Sequence, residues 1–157
     1  MDNVKFIDIG LVDNKIGSNV TISSSSNVYG VKIHDNVFIG PFVEIQKNVT
    51  IGSNTRIQSH SFICELTSIG NDCFIAHGVM FVNDLFLSGG PAKGDKALWK
   101  STKIGDRVSI GSNVTLLPVQ ICDDVVIGAG SVVTKDIEEP GVYIGNPAIK
   151  SSKNEKS

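Results

Sequence analysis

Leucine is scarce in this 157-residue chain: seven residues, against 19 isoleucines and 18 valines. Ile and Val carry two heavy atoms on Cβ, which stiffens χ1 and suits strands. With 16 glycines to turn the chain as well, a helical bundle is excluded. Cysteine is sparse too. Cys64, Cys73 and Cys122 are odd in number, show no Cys-x-x-Cys spacing, and read as buried reduced thiols of a cytosolic protein. Charge is modest at 19%, with a net −2, so no general field exists to attract nucleic acid. No apolar run approaches the ~18 residues of a membrane span. Met1 to Gly10 lack a basic segment followed by a long apolar stretch, so no signal peptide is expected. One cytoplasmic domain follows from this length, with no nucleic-acid or membrane partner.

A beat of six is present instead. From Ile33 a large apolar residue recurs at Ile39, Ile45, Ile51, Ile57, Ile63, Ile69, Ile75 and Phe81. It resumes at Ile104, Ile110 and Leu116, slips by one, and continues at Ile121, Ile127 and Val133. Upstream, Ile16, Ile22 and Val28 keep it. Asn or Asp often stands three after the apolar residue, at Asn19, Asn36, Asn48, Asn54, Asp72, Asn113 and Asp124. These types, with Gly, tolerate tight bends and positive φ. Six is neither a helical period nor a plain strand alternation. It suits a short strand and a bend, with the apolar residue always inward. Three such sides close a coil of 18 residues, and coils stack as parallel strands ~4.8 Å apart. The fold expected is an all-β hexapeptide parallel β-helix.

The beat fails between Phe81 and Ile104. Residues 83–103 read as a long excursion holding Gly89-Gly90-Pro91, Trp99 and Lys93, Lys96, Lys100 and Lys103. Loops of this length inside a compact domain concentrate function. The β-helix domain is therefore 1–136, and 137–157 is a C-terminal extension in which the chain leaves the prism and ends in a disordered tail from Ser151. Lys47, Glu65 and Asn83 are each third in their hexads and 18 apart, so they stack on one corner, with Asp84 beside them. His77 is third in the hexad of Ile75, one corner away. A side is roughly 15–20 Å long, so His77 and Asn83 share a site only across two subunits, as in a threefold assembly. Followed by Gly78 and just before the break, His77 is a candidate general base. The three His lie at different hexad positions (His34 second, His60 fourth, His77 third), so no zinc site is expected.

The stretch Ile57 to Asp84, with its His-Gly-Val-Met-Phe-x-Asn-Asp segment, resembles a narrower family. It is similar to acetyltransferases that modify the 3-amino group of nucleotide-linked 3-amino-3,6-dideoxyhexoses for bacterial surface polysaccharides such as lipopolysaccharide. The likeness covers nearly the whole chain, with Ala76 a departure where many relatives have Gly. It implies a left-handed coil, acetyl-CoA as co-substrate without metal, a dTDP-linked amino sugar as acceptor, and a homotrimer. His77 and Asn83 are then catalytic, and Glu65, Asn83 and Asp84 bind substrate. Gly145-Asn146-Pro147-Ala148 matches the family's closing Gly-x-Pro-Ala, which places Asn146, Pro147 and Ala148 near the pantetheine and adenine of the cofactor. Backbone amides near Gly128 and Gly130 are candidates for the thioester oxygen. Lys135 and Lys150 are candidates for phosphate.

Other readings stay open on the same scaffold. One is O-acetylation of a simple sugar or serine. Others are a zinc-dependent hydratase like carbonic anhydrase and a non-enzymatic solenoid, although mixed Asn, Lys, Glu and Ser on the outer positions do not form the flat Thr ladders of an ice binder.

Overall fold

A computed structural model describes residues 11–152. The expectations for Met1 to Gly10 and for the tail beyond Ser152 lie outside these described residues. The chain winds as a parallel β-helix with three faces. The first face stacks seven strands: Leu11–Val12, Asn27–Tyr29, Glu44–Ile45, Phe62–Ile63, Met80–Phe81, Thr115–Leu116 and Val132–Val133. The second stacks Lys15–Ile16, Lys32–Ile33, Thr50–Ile51, Thr67–Ile69, Thr102–Ile104 and Gln120–Ile121. The third runs from Thr21–Ile22 through Phe38–Ile39, Arg56–Ile57, Phe74–Ile75, Ser109–Ile110 and Val125–Ile127 to Gly141–Ile144.

The hexad residues pair with their own kind from coil to coil, Ile39 with Ile57 and Ile57 with Ile75. Ile39, Ile45, Ile51, Ile57, Ile63 and Ile75 are wholly excluded from solvent, and the core is one cluster from Val28 to Ile137. Each such side chain contributes roughly 1.5–3 kcal/mol through burial. The first coil is less protected, and Ile16 is half exposed although it keeps the beat.

All seven corner Asn and Asp residues noted in the sequence take φ between +55° and +61°. On the second-to-third corner their side chains form a ladder. Asn19 Nδ2 donates to Asn36 Oδ1 (3.3 Å), Asn36 to Asn54 (3.0 Å), and Asn54 to Asp72 Oδ1 (2.9 Å). Above it, Arg107 donates from Nε and Nη2 to the two carboxylate oxygens of Asp124, at 2.7 and 2.9 Å.

The structure differs from the sequence reading at three places. The stack does not end at Asp136. Ile137 is buried and bridges Ile121, and Gly141–Ile144 pairs in parallel with Val125–Ile127. Pro140 and Gly141 upset the spacing but not the ladder, so the β-helix runs on to Ile144. There Ile149–Lys150 folds back antiparallel along it. The excursion is also shorter than 83–103. Thr102–Ile104 is already a strand paired with Thr67–Ile69, so Lys103 belongs to the second face. Finally, only Cys64 and Cys73 are buried. Burial pushes the Cys64 thiol up to about 11, beyond the help of its Thr67 contact. Cys122 is partly exposed, in a groove of about 660 Å³ lined by Lys103, Gln120, Asp136 and Pro140.

Asn54→Ala removes both ladder bonds and leaves a β-carbon in the left-handed region without a compensating side chain. It should lower unfolding free energy by roughly 1–2 kcal/mol, read as a shift in the urea midpoint.

Candidate functional site

The candidate residues fall mainly on two corners. The third-to-first corner holds His77, between the strands Phe74–Ile75 and Met80–Phe81. The imidazole is exposed. Its backbone is fixed on both sides: the His77 carbonyl accepts from Asn113 N at 2.9 Å, and Gly78 N donates to Ser59 O at 3.0 Å. Gly78 has φ +66°, and a β-carbon there would lie 2.5 Å from Asn113 Oδ1, so only glycine lets the coils approach this closely beside the histidine. Phe42 and His60 occupy the same corner on lower coils, with ring centroids 5.0 Å apart. Phe74 and Met80, on the flanking strands, are each about two-fifths exposed.

Above His77 on this corner lie Gly128 and Gly130. Their N–H groups are already used by the coil, Gly128 donating to Tyr143 O and Gly130 to Ser112 O, both at 2.8 Å. Of the backbone amides near Gly128 and Gly130 expected to face a thioester, these two are therefore engaged within the coil. The N–H between them, on Ala129, has no partner among the described residues. The turn Gly145–Ala148 packs beside the same corner, with Gly145 N on Ser131 Oγ (3.0 Å) and Ala148 N on Val132 O (2.8 Å). The structure therefore gathers His77, Gly128, Gly130, Asn146, Pro147 and Ala148 along one edge. Lys150 lies apart, its ammonium 2.8 Å from Glu139 Oε2 in an exposed pair. Lys135 is exposed on the other corner.

The first-to-second corner carries Glu65, Asn83 and Asp84. The strand registers Ile45↔Ile63 and Phe62↔Met80 place Lys47, Glu65 and Asn83 on successive coils, as the spacing of 18 required. Asn83 Nδ2 donates to Glu65 O at 3.2 Å. Glu65 is not an open corner charge, for its side chain is 5% exposed. Lys96 Nζ, reaching back from the excursion, donates to Oε1 at 2.7 Å and Oε2 at 3.0 Å, and Asn48 Nδ2 donates to Oε1 at 2.8 Å. Gln46 Oε1 accepts the Glu65 N–H at 3.1 Å. Asp84, a candidate for substrate, holds the loop. Its two oxygens accept from Phe86 N (2.9 Å) and Ala92 N (2.8 Å). Asp95 caps the short 3₁₀ turn Lys96–Leu98 through Ala97 N. Sequence reasoning missed Gln46 and Asn48 as partners of Glu65. The only available signal was their place on the same corner one coil earlier.

Burial alone would push the Glu65 carboxyl up. Hydrogen bonds from Lys96 and Asn48, and the charges of Lys96 and Lys47, outweigh it and hold the group below its ordinary value. The bond to Glu65 correspondingly raises Lys96. Among the described residues no three His, Cys, Asp or Glu side chains gather as metal ligands. His34 sits on the second-to-third corner, away from His60 and His77.

The family described as bacterial transferase hexapeptide (six repeats) matches residues 30–65, and the hexapeptide repeat of succinyl-transferase matches residues 101–135. Both matched segments lie in the solenoid, where the hexapeptide beat forms the stacked coils. A probable macrolide acetyltransferase of Lysinibacillus sphaericus is 46% identical over 59 residues, 37% of this chain and 29% of that one. This chain spans under a third of the length of the curated relatives it matches. Among solved structures, a mutant of AntD, an N-acyltransferase from Bacillus cereus in complex with dTDP and coenzyme A, superposes with a TM-score of 0.73 at 27% identity. The match covers 90% of this chain and 84% of that one. A mutant of perosamine N-acetyltransferase from Caulobacter crescentus, in complex with CoA and GDP-perosamine, shares the fold. Its TM-score is 0.62 at 22% identity, covering 85% of this chain and 57% of that one.

Because Glu65 is depressed, its pairing with Lys96 is complete above the usual glutamate value of about 4.3 and is lost as pH falls through its lower folded value. The single tryptophan, Trp99, lies with its ring centroid 5.5 Å from Lys96 Nζ. Its emission should therefore hold steady from neutral pH to about 4.3 and change only below. Glu65→Gln should abolish that acid step.

Proposed function

We propose that this protein is an acetyl-CoA-dependent N-acetyltransferase acting on the amino group of a nucleotide-linked amino-deoxy sugar, a dTDP-linked 3-amino-3,6-dideoxyhexose. It works as a cytoplasmic homotrimer in the synthesis of a surface polysaccharide such as lipopolysaccharide. The observation that carries the reading is the division of the site between two corners. His77 shares one edge with the Gly128–Gly130 and Gly145–Ala148 segments, while Asn83 and the excursion occupy the other. A neighbouring subunit laid edge to edge brings the second corner against the first. The exposed Phe42, Phe74 and Met80 beside His77 supply apolar surface for that contact. The complexes of AntD with dTDP and coenzyme A, and of perosamine N-acetyltransferase with CoA and GDP-perosamine, support both substrate classes.

In this mechanism the cofactor lies along the His77 edge, against Asn146, Pro147 and Ala148, with the exposed Lys135 contributed from the adjoining corner to its phosphates. The neutral sugar amine attacks the thioester carbonyl carbon, and a C–N bond forms as the carbonyl electrons move to oxygen. The free N–H of Ala129, rather than those of Gly128 or Gly130, donates to that oxygen. His77 accepts the amine proton, the carbonyl re-forms as the C–S bond breaks, and the imidazolium returns that proton to the departing sulfur, so that CoA leaves as the thiol. Holding amine and thioester ~3–3.5 Å apart supplies much of the acceleration. Asn83, whose Oδ1 and second N–H have no partner among the described residues, orients the amino sugar. Glu65 and Asp84 act one step back, by fixing the loop.

The test is release of CoA thiol from acetyl-CoA with a panel of nucleotide-linked 3-amino and 4-amino sugars, set against hydroxyl acceptors and serine. Turnover with hydroxyl acceptors alone overturns the amine assignment. In the same assay His77→Ala should lower kcat about 100-fold or more while acetyl-CoA affinity is retained; unchanged turnover removes the imidazole from the base role. Asn83→Ala should raise the sugar KM or lower kcat by about tenfold. Full activity in that variant would show that the stacked corner is not part of the site.

A further inference from the structure

Lys96 joins the excursion to the solenoid at a single buried carboxylate, and that carboxylate's own backbone holds Asn83. We propose that Lys96 is a positioning residue for the acceptor sugar, acting through Glu65 on Asn83 and on the loop that begins at Asp84. The proposal rests on the transferase reading above and adds to it a residue that never touches the reacting atoms.

The chain of contacts is continuous. Lys96 sits at the start of the short 3₁₀ turn within the excursion and grips both oxygens of Glu65, at 2.7 and 3.0 Å. Glu65 is the buried charge on its corner, and a buried carboxylate left unpaired is forced to move or to take up a proton. Its remaining bonds come from Gln46 and Asn48 of the coil before, so every group that orients Glu65 belongs either to the solenoid or to Lys96. The Glu65 carbonyl in turn accepts from Asn83 Nδ2 at 3.2 Å. That bond aims the Asn83 amide and leaves its Oδ1 without a partner among the described residues. The Asn83 carbonyl accepts from Lys100 N at 2.9 Å, closing the excursion onto the same residue. Asp84 pins the near half of the loop through Phe86 N and Ala92 N. Among the described residues, Lys96 is the only side chain of the far half that a hydrogen bond or ion pair ties to the preceding coil. Without it, the carboxylate swings toward water, the loop detaches over Lys93 to Trp99, and the Lys100 N–H that closes onto the Asn83 carbonyl is no longer held. A group that positions acceptor but not cofactor changes one KM and leaves the other alone.

Lys96 is half exposed, so Lys96→Met leaves no cavity and the coil core is untouched. Arginine preserves the two-pronged grip on a carboxylate. Steady-state thiol release with both substrates varied, and amide hydrogen exchange over residues 84–101, should be measured for wild type, Lys96→Met, Lys96→Arg and Glu65→Gln. Lys96→Met should raise the acceptor KM about tenfold or more with the acetyl-CoA KM unchanged, and should lose exchange protection in the loop. Glu65→Gln should follow it, and Lys96→Arg should restore both readouts. Lost protection with an unaltered acceptor KM makes Lys96 a strut only and overturns the proposal. So does an equal rise in both KM values, or an arginine variant no better than methionine. A wild type inert toward every amino sugar overturns the transferase reading and the positioning role with it, whereas an active wild type matched by Lys96→Met overturns the positioning role alone.

Discussion

The vertical stacking of one inward branched residue on another, coil after coil, is the constraint on which everything else in this protein depends. Ile39, Ile57 and Ile75 stand in register on one face, and Ile45 and Ile63 on the next. Their packing defines the interior, and the parallel hydrogen bonds between strands set the spacing. With strands of only two to four residues, no single face is a stable sheet. Each is held because the corners return the chain at the same height on every turn. The positive-φ Asn and Asp residues do this at low steric cost, and the side-chain ladder from Asn19 to Asp72 links their amides from coil to coil.

That regularity is what allows an irregular segment to be informative. A solenoid corner ordinarily takes a few residues. On the first-to-second corner of one coil it is replaced by the whole excursion after Asn83, and the strand Thr102–Ile104 then rejoins its neighbour in register with Thr67–Ile69. The cost of ordering such a loop is offset by polar tethers rather than by apolar burial. Leu85, Phe86 and Leu87 at its start remain exposed. Glu65 and Asp84 are the anchors, one buried under Lys96 and one engaged by two loop amides. Neither carboxylate is left open in the way a simple corner charge would be. Among the candidate site residues, the imidazole at 77 on one edge and the Asn83 amide on the other keep hydrogen-bonding capacity unused by the described residues. Within one chain these are separated by the width of a face, which is why the chemistry assigned to them calls for a second subunit.

Much of this was legible in the sequence because a period of six is a direct record of geometry. The hexad placed every core isoleucine from 33 to 75, the positive-φ bends at the corner Asn and Asp residues, and the column Lys47, Glu65, Asn83. It did so because stacking coils convert sequence spacing into spatial adjacency. The same logic failed where spacing and hydrogen bonding part company. Pro140 and Gly141 disturb the beat, yet backbone pairing carries the prism through Ile144. Nor does spacing tell which amide near Gly128 and Gly130 is free: those two donate to Tyr143 and Ser112, while that of Ala129 has no partner among the described residues.

What the sequence by itself determined, then, is the coil, its register and the corner to which each polar residue belongs, since those follow from a local repeat. What only the tertiary structure decided is which of those polar groups are already satisfied. Glu65 meets Lys96 across 31 positions, Asp84 meets Ala92 across eight, and Lys150 meets Glu139 across eleven. These partnerships arise where aperiodic segments fold back on the prism. Side-chain reach rather than spacing selects them, so no repeat encodes them.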